Sequence, residues 1–230
     1  MKDLCELLAK NSYPGRGIVI GRLDQTHMRI FYFIMGRSEN SRNRVFTFTE
    51  DGIQTEAYDP SKLTDPSLVI YHPVRLYKHS LIVTNGDQTD TVRDFLAKGR
   101  GFREALLTRS FEPDGPLYTP RVSGIVREKG RFALSILKSA EGDPQFTRRY
   151  FYEYDDVPVG TGFFISTYQH DGNPPPSFTG EPVAVTLPEP EDVWAALNED
   201  NKVSLYSCAL DTGSFSCEES VLNKHQEVRI

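Results

Sequence analysis

The sequence predicts an α+β fold built largely from antiparallel sheets, because segments with the apolar pattern of β-strands outnumber those with the pattern of helices. Most of the predicted strands follow one another in pairs, and the predicted helices form separate blocks. Residues 30–35 are apolar on both faces, as expected for a strand that is covered from both sides. Two sheets packed face to face, with helices outside, would bury such a strand.

The first half of the chain is predicted to be mostly strand. Residues 1–10 have the charge pattern of a short amphipathic helix, and the apolar runs that follow are bounded by polar turns. Glu50-Asp51-Gly52 is a hairpin signal between two of these runs, and residues 36–44 and 60–66 are polar loops. The predicted strands are residues 17–23, 29–35, 45–49, 54–58, 67–73 and 77–84.

Helices and strands both occur in the second half. Residues 89–98 begin with a cap-like threonine and are predicted to be helical, and two glycines separate them from a second helix at 102–110. Residues 189–198 begin in acidic side chains, which favour the N-terminus of a helix. The predicted strands are residues 121–126, 131–137, 149–154, 162–168, 181–187 and 203–210, with a proline-rich loop at 172–176.

Length and composition indicate one soluble domain over residues 1–230, since the chain is long enough for one sizeable core and has no linker-like segment. The net charge of −6 argues against a nucleic-acid partner but allows a local arginine pocket around a small phosphate. Cys5, Cys208 and Cys217 lack C-x-x-C spacing and are predicted to be free thiols. No apolar run is long enough for a signal peptide or a membrane span, so we expect a cytoplasmic protein.

Three polar segments interrupt the apolar strand pattern at residues 13–17, 83–90 and 117–126. Each one alone would be an ordinary turn, and the arginine-rich loop around Arg37, Arg42 and Arg44 would be a solvated surface loop. Polar groups at strand ends are carried by a rigid scaffold, however, and are well placed for chemistry. Together they predict a site for a small, anionic, hydrogen-bonding ligand.

Other common site signatures are missing from the sequence. The five histidines are scattered without metal-ligand spacing, and no serine lies in a G-x-S-x-G elbow. The glycines from Gly15 to Gly21 have the wrong spacing and position for a dinucleotide fingerprint. The sequence therefore predicts no metal site and no organic cofactor.

The polar segments resemble those of the archaeal-type IMP cyclohydrolase family, single-domain enzymes that close the purine ring in the last step of IMP synthesis. The resemblance covers most of the chain beyond residue 12. Its most specific elements are T-N-G-x-x-T-D and T-P-R-x-x-G-I, in this order. It is carried by Tyr13-Pro-Gly-Arg16-Gly, Arg37-Ser38 with Asn43-Arg44, Thr84-Asn-Gly-Asp-Gln-Thr-Asp90, Phe111-Glu-Pro-Asp114 and Tyr118-Thr-Pro-Arg-Val-Ser-Gly-Ile125, with weaker similarity at 163–168 and 180–181.

The resemblance implies a four-layer αββα sandwich like that of the N-terminal-nucleophile hydrolases. The chain departs from those hydrolases because Arg16-Gly17-Ile18, without a serine, threonine or cysteine, stand at the start of the first long strand. A covalent acyl-enzyme route is therefore disfavoured. Residues 1–12 are an added N-terminal helix relative to the family pattern, and the loop that bears Arg42 is longer.

The resemblance also implies a ligand and roles for site residues. The substrate would be a purine-precursor ribonucleotide with adjacent carboxamide and formamido groups, without any cofactor, nucleic acid or membrane, and a homo-oligomer is left open. The expected catalytic residues are Tyr71, with Tyr118 as the other candidate proton donor, Asn85 as oxyanion donor, Glu112 or Asp114 as proton acceptor, and Arg121 to orient that carboxylate or bind substrate. The expected substrate-binding residues are Arg16, Arg37, Ser38, Asn43, Arg44, Gly86, Thr89, Asp90, Tyr118 and Thr119.

Two alternatives stay open at this point. One is an amidohydrolase that acts on another amide, which would need a nucleophile that the sequence does not display. The other is a purine nucleotide-binding protein without catalysis, which would not need the proton-handling residues.

Overall fold

A computed structural model describes residues 1–63, 66 and 69–225 and contains two β-sheets packed face to face. The six-stranded sheet has the spatial order β11-β10-β1-β2-β12-β13, and the seven-stranded sheet runs in chain order from β3 to β9. The first sheet contains β1 (Arg16–Arg22), β2 (His27–Met35), β10 (Thr161–Ser166), β11 (Val183–Thr186), β12 (Lys202–Asp211) and β13 (Cys217–Asn223). The second contains β3 (Arg44–Thr49), β4 (Gly52–Ala57), β5 (Val74–Leu76), β6 (Ser80–Thr84), β7 (Arg121–Arg127), β8 (Phe132–Ala140) and β9 (Asp143–Tyr154).

All pairings between these strands are antiparallel, which confirms the predicted sheet type. Helices cover the outer face of each sheet. The helices are α1 (Leu4–Ala9), α2 (Glu39–Arg42), α3 (Gln88–Ala97), α4 (Phe102–Leu107) and α5 (Pro190–Ala196). Helices α1 and α5 pack on the six-stranded sheet, and α3 and α4 pack on the seven-stranded sheet. The result is the expected four-layer αββα sandwich.

The alternation of side chains along β1 and β2 explains why both faces of the first sheet are apolar. Ile18 and Ile20 of β1 point into the core between the sheets, whereas Val19 points to the helical layer. In β2, Tyr32 faces the inner core and Phe31 and Phe33 face the helices. Each such fully buried side chain contributes about 1.5–3 kcal/mol, so this strand pair anchors three of the four layers.

One predicted strand is wrong. Of residues 67–73, Ser67 and Leu68 lie outside the described residues, and residues 69–73 form turns and irregular chain. The hydroxyl of Thr55 donates to the Val69 carbonyl (2.6 Å) and accepts from the Tyr71 amide (2.9 Å). The Thr55 hydroxyl therefore occupies backbone hydrogen-bonding groups that would otherwise pair with a neighbouring strand. The loop predicted at 60–66 holds a 3-10 turn at Pro60–Lys62, and its Thr64 and Asp65 also lie outside the described residues.

The other differences concern edges and short elements. Strand β6 begins at Ser80 and not at residue 77, because Lys78 has a positive φ of 52° in a turn after β5. Strand β9 starts earlier than predicted, and β13 was not predicted. Both are sheet edges with many exposed polar side chains, so the apolar pattern that marks a strand is weak there. The loop at 36–44 contains α2 and ends in β3.

The two sheets approach each other closely where Gly124 of β7 faces Ile20 of β1. A Cβ on Gly124 would lie 2.6 Å from Cδ1 of Ile20 and 3.0 Å from Cγ1 of Val83. We expect Gly124→Ala to lower the free energy of unfolding by about 1–3 kcal/mol, because added volume in a packed core forces its neighbours to shift. Urea unfolding measures this change.

The matched second variant is Ile20→Val, which removes the Cδ1 atom that the new methyl would meet. Alone it should cost about 0.5–1.5 kcal/mol. The double variant should lose less stability than the sum of the two single changes, because both act on one space. Strict additivity, or a neutral Gly124→Ala, would contradict this packing.

Candidate active site

A polar cavity of about 170 Å³ lies at one end of the sandwich, next to the first residue of β1 and to the segments that follow β2 and β10 and precede β7. Both sheets and the loops beside them contribute to its wall. The lining residues are Tyr13, Gly15, Arg16, Met35, Ser38, Asn40, Ser41, Arg44, Val69, Glu112, Asp114, Leu117, Thr119, Thr167 and Tyr168. Six of the residues expected at the site are in this list: Arg16, Ser38, Arg44, Glu112, Asp114 and Thr119.

A buried ion pair between Arg16 and Glu112 joins the two sheets at the cavity. The guanidinium donates from Nη1 to Oε1 (2.8 Å) and from Nη2 to Oε2 (2.9 Å), and Nη1 also donates to the Asn85 carbonyl (2.7 Å). Burial alone would lower the pKa of Arg16, but the Glu112 carboxylate raises it well above its usual value. Arg16 is therefore a fixed cation whose orientation Glu112 sets.

A second buried arginine, Arg121, lies behind this pair. Its Nη1 donates to Gln88 Oε1 (2.5 Å) and lies 2.7 Å from Asp87 Oδ1. A Cβ on Gly86 would lie 2.6 Å from that Nη1 and 3.5 Å from Glu112 Oε1, so a glycine is required for this close approach. Burial lowers the pKa of Arg121, and the carboxylates of Glu112 and Asp87 oppose that effect. Arg121 does not line the cavity, but its charge interacts with the Glu112 carboxylate that does.

The side chain of Asn85 closes the ends of β6 and β7 and does not face the cavity. Its Nδ2 donates to the Pro120 carbonyl (2.8 Å), and its Oδ1 accepts from the Val122 amide (2.9 Å) and from Gln88 Nε2 (2.8 Å). The side chain is fully buried. This geometry differs from the expectation that Asn85 donates to a reacting oxygen, because its amide is used to pair two strand ends.

The cavity also holds a connected set of hydroxyl and carboxylate groups. Thr119 donates to Asp114 through its backbone amide (2.7 Å to Oδ1) and through its hydroxyl to Oδ2. The same hydroxyl is 2.9 Å from the Tyr168 hydroxyl. Gly15 allows this approach, because it has φ 78° and a Cβ there would lie 2.7 Å from the Tyr168 ring.

Arg44 reaches the cavity from the opposite wall, beside α2. It is 5% exposed, and its Nε donates to the Ser41 carbonyl (2.8 Å). Within residues 1–63, 66 and 69–225 it makes no ion pair, although desolvating a guanidinium without a counter-charge is costly. Ser38, which caps α2, lines the same wall with Asn40 and Ser41. An anionic ligand would supply the missing charge.

Arg37 lies at the rim and not in the wall of the cavity. Its guanidinium covers the Tyr13 ring at 4.6 Å and donates to Asp171 Oδ1 (2.7 Å). Tyr13 in turn stacks on Tyr168 with ring centroids 5.8 Å apart. This stack connects the loop after β2 to the segment after β10.

The structure places five further predicted residues outside the cavity wall. Asn43 forms hydrogen bonds with the backbone of Asp59, and Thr89 forms one with the Thr84 hydroxyl. Asp90 forms an ion pair with Arg75. Tyr71 forms a hydrogen bond with the Tyr32 hydroxyl, and Tyr118 packs edge-on against Phe111. These contacts shape the loops and strand ends around the site. Tyr71 is still close enough to Arg16 to influence its pKa, after burial and Glu112.

Sequence reasoning did not select Tyr168, Thr167, Asn40 or Ser41 as site residues. Tyr168 ends the predicted strand at 162–168, in the region of weaker resemblance, so a signal was present there. Its contact with Thr119 depends on the packing of one sheet against the other, which no local pattern encodes.

A larger depression of about 600 Å³ lies away from this cavity and is lined by Lys78, His79, Ser80, Arg127, Glu128 and Arg131. These side chains are mostly exposed and include none of the predicted site residues. In the described ranges of the chain, no three His, Cys, Asp or Glu side chains cluster as metal ligands. No helix in those ranges has the length and apolarity needed to span a membrane.

The fold and the cavity define a two-sheet αββα protein with a polar, arginine-containing cavity at one end of the sandwich. A family model described as "IMP cyclohydrolase-like protein" matches residues 13–214, and the chain belongs to this family. The residues that carried the resemblance all lie within the matched range.

Similar curated proteins come from archaea. An IMP cyclohydrolase of Methanopyrus kandleri is 30% identical over 158 residues, which cover 64% of this chain and 78% of that protein. An IMP cyclohydrolase of Methanothrix thermoacetophila is 29% identical over 172 residues, with 73% and 80% covered. One from Methanococcus aeolicus is 24% identical over 163 residues, with 68% and 74% covered.

The buried ion pair generates a stability prediction. Glu112→Gln keeps the shape of the side chain but leaves the Arg16 guanidinium without its counter-charge. We expect the free energy of unfolding to fall by about 3 kcal/mol, as for other buried pairs that lose one partner. Urea unfolding at neutral pH provides the measurement.

The control is Glu141→Gln, because Glu141 pairs with Arg148 at 3.1 Å on the surface and is 84% exposed. That change should cost less than about 1 kcal/mol. The double variant Arg16→Met with Glu112→Leu removes both charges and should be more stable than Glu112→Gln. Equal losses for Glu112→Gln and Glu141→Gln would refute the importance of this pair.

Proposed function

We propose that this protein is an IMP cyclohydrolase, which closes 5-formamidoimidazole-4-carboxamide ribonucleotide to IMP with loss of water. The observation that carries the proposal is that one cavity contains both the oriented Arg16–Glu112 pair and Arg44, a buried cation without a carboxylate partner in the described residues. Membership of the IMP cyclohydrolase-like family supports the choice of substrate.

The phosphate of the nucleotide would bind at the wall formed by Arg44, Ser38, Asn40 and Ser41. A planar guanidinium matches the geometry of two phosphate oxygens, and hydroxyl and amide groups can donate to the others. The enclosed volume is smaller than that of typical ligand pockets, which are about 300–1,000 Å³. The phosphate therefore belongs near the mouth, where Ser38 is exposed.

The imidazole end of the substrate would lie against Arg16. Three of the five N–H hydrogens of Arg16 are used by Asn85 and Glu112, so two remain for the formyl oxygen. That oxygen gains negative charge when the carboxamide nitrogen attacks the formyl carbon. One oriented donor at such an oxygen is worth about 3 kcal/mol of barrier. Because both reacting groups belong to one molecule, holding them face to face removes most of the entropic cost.

The remaining predicted residues receive supporting roles in this proposal. Glu112 orients Arg16 with both carboxylate oxygens, and the positive charge of Arg121 acts on Glu112 from outside the cavity wall. Asn85 supplies its carbonyl to Arg16 and fixes the strand ends. Arg37 closes the rim with Tyr13. Thr89, Asp90 and Asn43 hold the surrounding loops, and Tyr71 and Tyr118 pack behind the wall.

No step in this scheme requires a redox or covalent intermediate, since attack, proton transfer and loss of water complete the ring. Cys5, Cys208 and Cys217 are free thiols, which is typical of a reducing compartment such as the cytoplasm, where we place the reaction.

The direct test is to mix the purified protein with the formamidoimidazole carboxamide ribonucleotide and follow IMP by absorbance and chromatography. We expect IMP to form faster than in buffer alone. Tight binding of the nucleotide without acceleration would instead indicate a binding protein. Release of formate would indicate an amidohydrolase.

The phosphate subsite generates a second test. Arg44→Gln should raise KM for the nucleotide by about tenfold or more, because a charge-assisted contact is worth about 1.5–3 kcal/mol. The corresponding nucleoside, which lacks the phosphate, should be used equally poorly by the wild type and the variant. Steady-state kinetics with both compounds therefore measures the contribution of Arg44 to phosphate recognition.

Arg42→Gln is the matched control, because the Arg42 guanidinium donates to the Gly36 carbonyl and to Asn201 and does not line the cavity. Its preference for the nucleotide over the nucleoside should equal that of the wild type. An unchanged preference in Arg44→Gln would exclude Arg44 from the phosphate subsite.

A further inference from the structure

The hydroxyl of Thr119 lies between a carboxylate and a phenol at the cavity wall. It donates to Asp114 Oδ2, and the Tyr168 hydroxyl is 2.9 Å away. Thr119 is 2% exposed and Tyr168 is 6% exposed, and all three residues line the cavity that contains Arg16. Tyr168 follows β10 of one sheet, whereas Thr119 and Asp114 precede β7 of the other.

The direction of these hydrogen bonds follows from the donor and acceptor capacity of each group. An ionised carboxylate only accepts, so the single hydroxyl hydrogen of Thr119 points to Asp114. The Thr119 oxygen can then only accept from Tyr168, whose hydrogen is directed to it. The lone pairs of the Tyr168 oxygen are therefore free to accept a hydrogen bond from a ligand. Burial also raises the pKa of Tyr168, which keeps the phenol protonated and able to donate to Thr119.

We propose that Tyr168, Thr119 and Asp114 form a proton relay that accepts the proton of the carboxamide nitrogen during ring closure. The relay rests on the proposed cyclohydrolase function and assigns Tyr168 as the catalytic residue that contacts the attacking nitrogen. Thr119 and Asp114 act through it.

The protons and electrons of the step balance along this chain. The nitrogen lone pair forms the bond to the formyl carbon, and the carbonyl electron pair moves to the formyl oxygen near Arg16. The nitrogen gives a proton to the Tyr168 oxygen, Tyr168 gives its own to Thr119, and Thr119 gives its own to Asp114, which becomes neutral. Reversal of the chain returns that proton to the formyl oxygen, and the formamido nitrogen supplies the second hydrogen of the departing water.

Asp114 is a better terminal acceptor than Glu112 because of their partners. Both oxygens of Glu112 accept from the Arg16 guanidinium, which stabilises the charged form. Asp114 makes no ion pair within residues 1–63, 66 and 69–225 and is bonded only by the neutral amide and hydroxyl of Thr119. The geometry therefore places Asp114, and not Glu112, at the end of the hydroxyl chain from Tyr168.

Tyr168→Phe tests the relay, since it keeps the ring that stacks on Tyr13 and removes only the oxygen. We expect kcat to fall by about a hundredfold or more, as for other general bases, with KM changed less than about threefold. Tyr152→Phe is the matched control. It also removes a phenol that donates one hydrogen bond, to the Gly180 carbonyl (3.1 Å), but Tyr152 lies outside the cavity and the variant should react at the wild-type rate.

The middle of the relay is tested by two substitutions of Thr119. Thr119→Ser keeps the hydroxyl and should retain turnover within about fivefold, whereas Thr119→Val keeps the branched shape and should lose about a hundredfold. Asp114→Asn should be equally slow, because its amide would donate to Thr119 and reverse the direction of the chain. Thermal unfolding of each variant shows that it is folded before its rate is used.

Single-turnover rates in mixtures of H₂O and D₂O separate a relay from a structural role. For the wild type, a plot of the rate against the deuterium fraction of the solvent should be curved, since several protons move together. For Tyr168→Phe the same plot should be linear. Wild-type IMP formation with normal rates in Tyr168→Phe and Thr119→Val would overturn the relay alone. Failure of the wild type to form IMP would overturn the cyclohydrolase function and the relay with it.

Discussion

The bidentate pair between Arg16 and Glu112 is the interaction on which the rest of the site depends. It joins the first residue of β1, in one sheet, to the segment before β7, in the other, and it is almost fully buried. Burial of two opposite charges is stabilising only with good geometry and further polar interactions. Here the Asn85 carbonyl accepts another hydrogen bond from Arg16, and the positive charge of Arg121 interacts with Glu112. Its position therefore fixes the distance between the sheets at the cavity and the orientation of the guanidinium.

The distribution of charge around the cavity gives the site its chemical character. Arg44 and Arg121 are buried, and the side chain of Arg16 is 11% exposed, at one end of a protein with a net charge of −6. Arg16 and Arg121 have carboxylate partners, whereas Arg44 uses backbone carbonyls. On one side of the cavity, the charge of Arg16 is thus balanced by a carboxylate, and its guanidinium can orient a reacting group. On the other side, Arg44 has no carboxylate partner in the described part of the chain, and its positive charge favours an anion.

The two-sheet architecture and the connection from α4 to β7 bring these different groups together at one end of the sandwich. Side chains at the ends of β6 and β7 and at the start of β1 are held by ladders that continue into the core, so their positions are rigid. The Thr119–Tyr168 contact adds a hydrogen bond between segments next to opposite sheets. The space that remains at this end of the sandwich is the polar cavity of about 170 Å³.

The sequence by itself determined the α+β class, most of the strands and the helices in the second half of the chain, because burial on one or both faces leaves a periodic apolar pattern. Polar groups at strand ends and the family resemblance also predicted Arg16, Ser38, Arg44, Glu112 and Thr119 as site residues, and the structure places all five around one cavity. Only the tertiary structure decided that Asn85 pairs strand ends and that Tyr168 reaches Thr119. It also decided that residues 69–73 are tied to Thr55 and do not form a strand. Those outcomes depend on which distant group satisfies a hydrogen bond, and a local pattern contains no information about that partner.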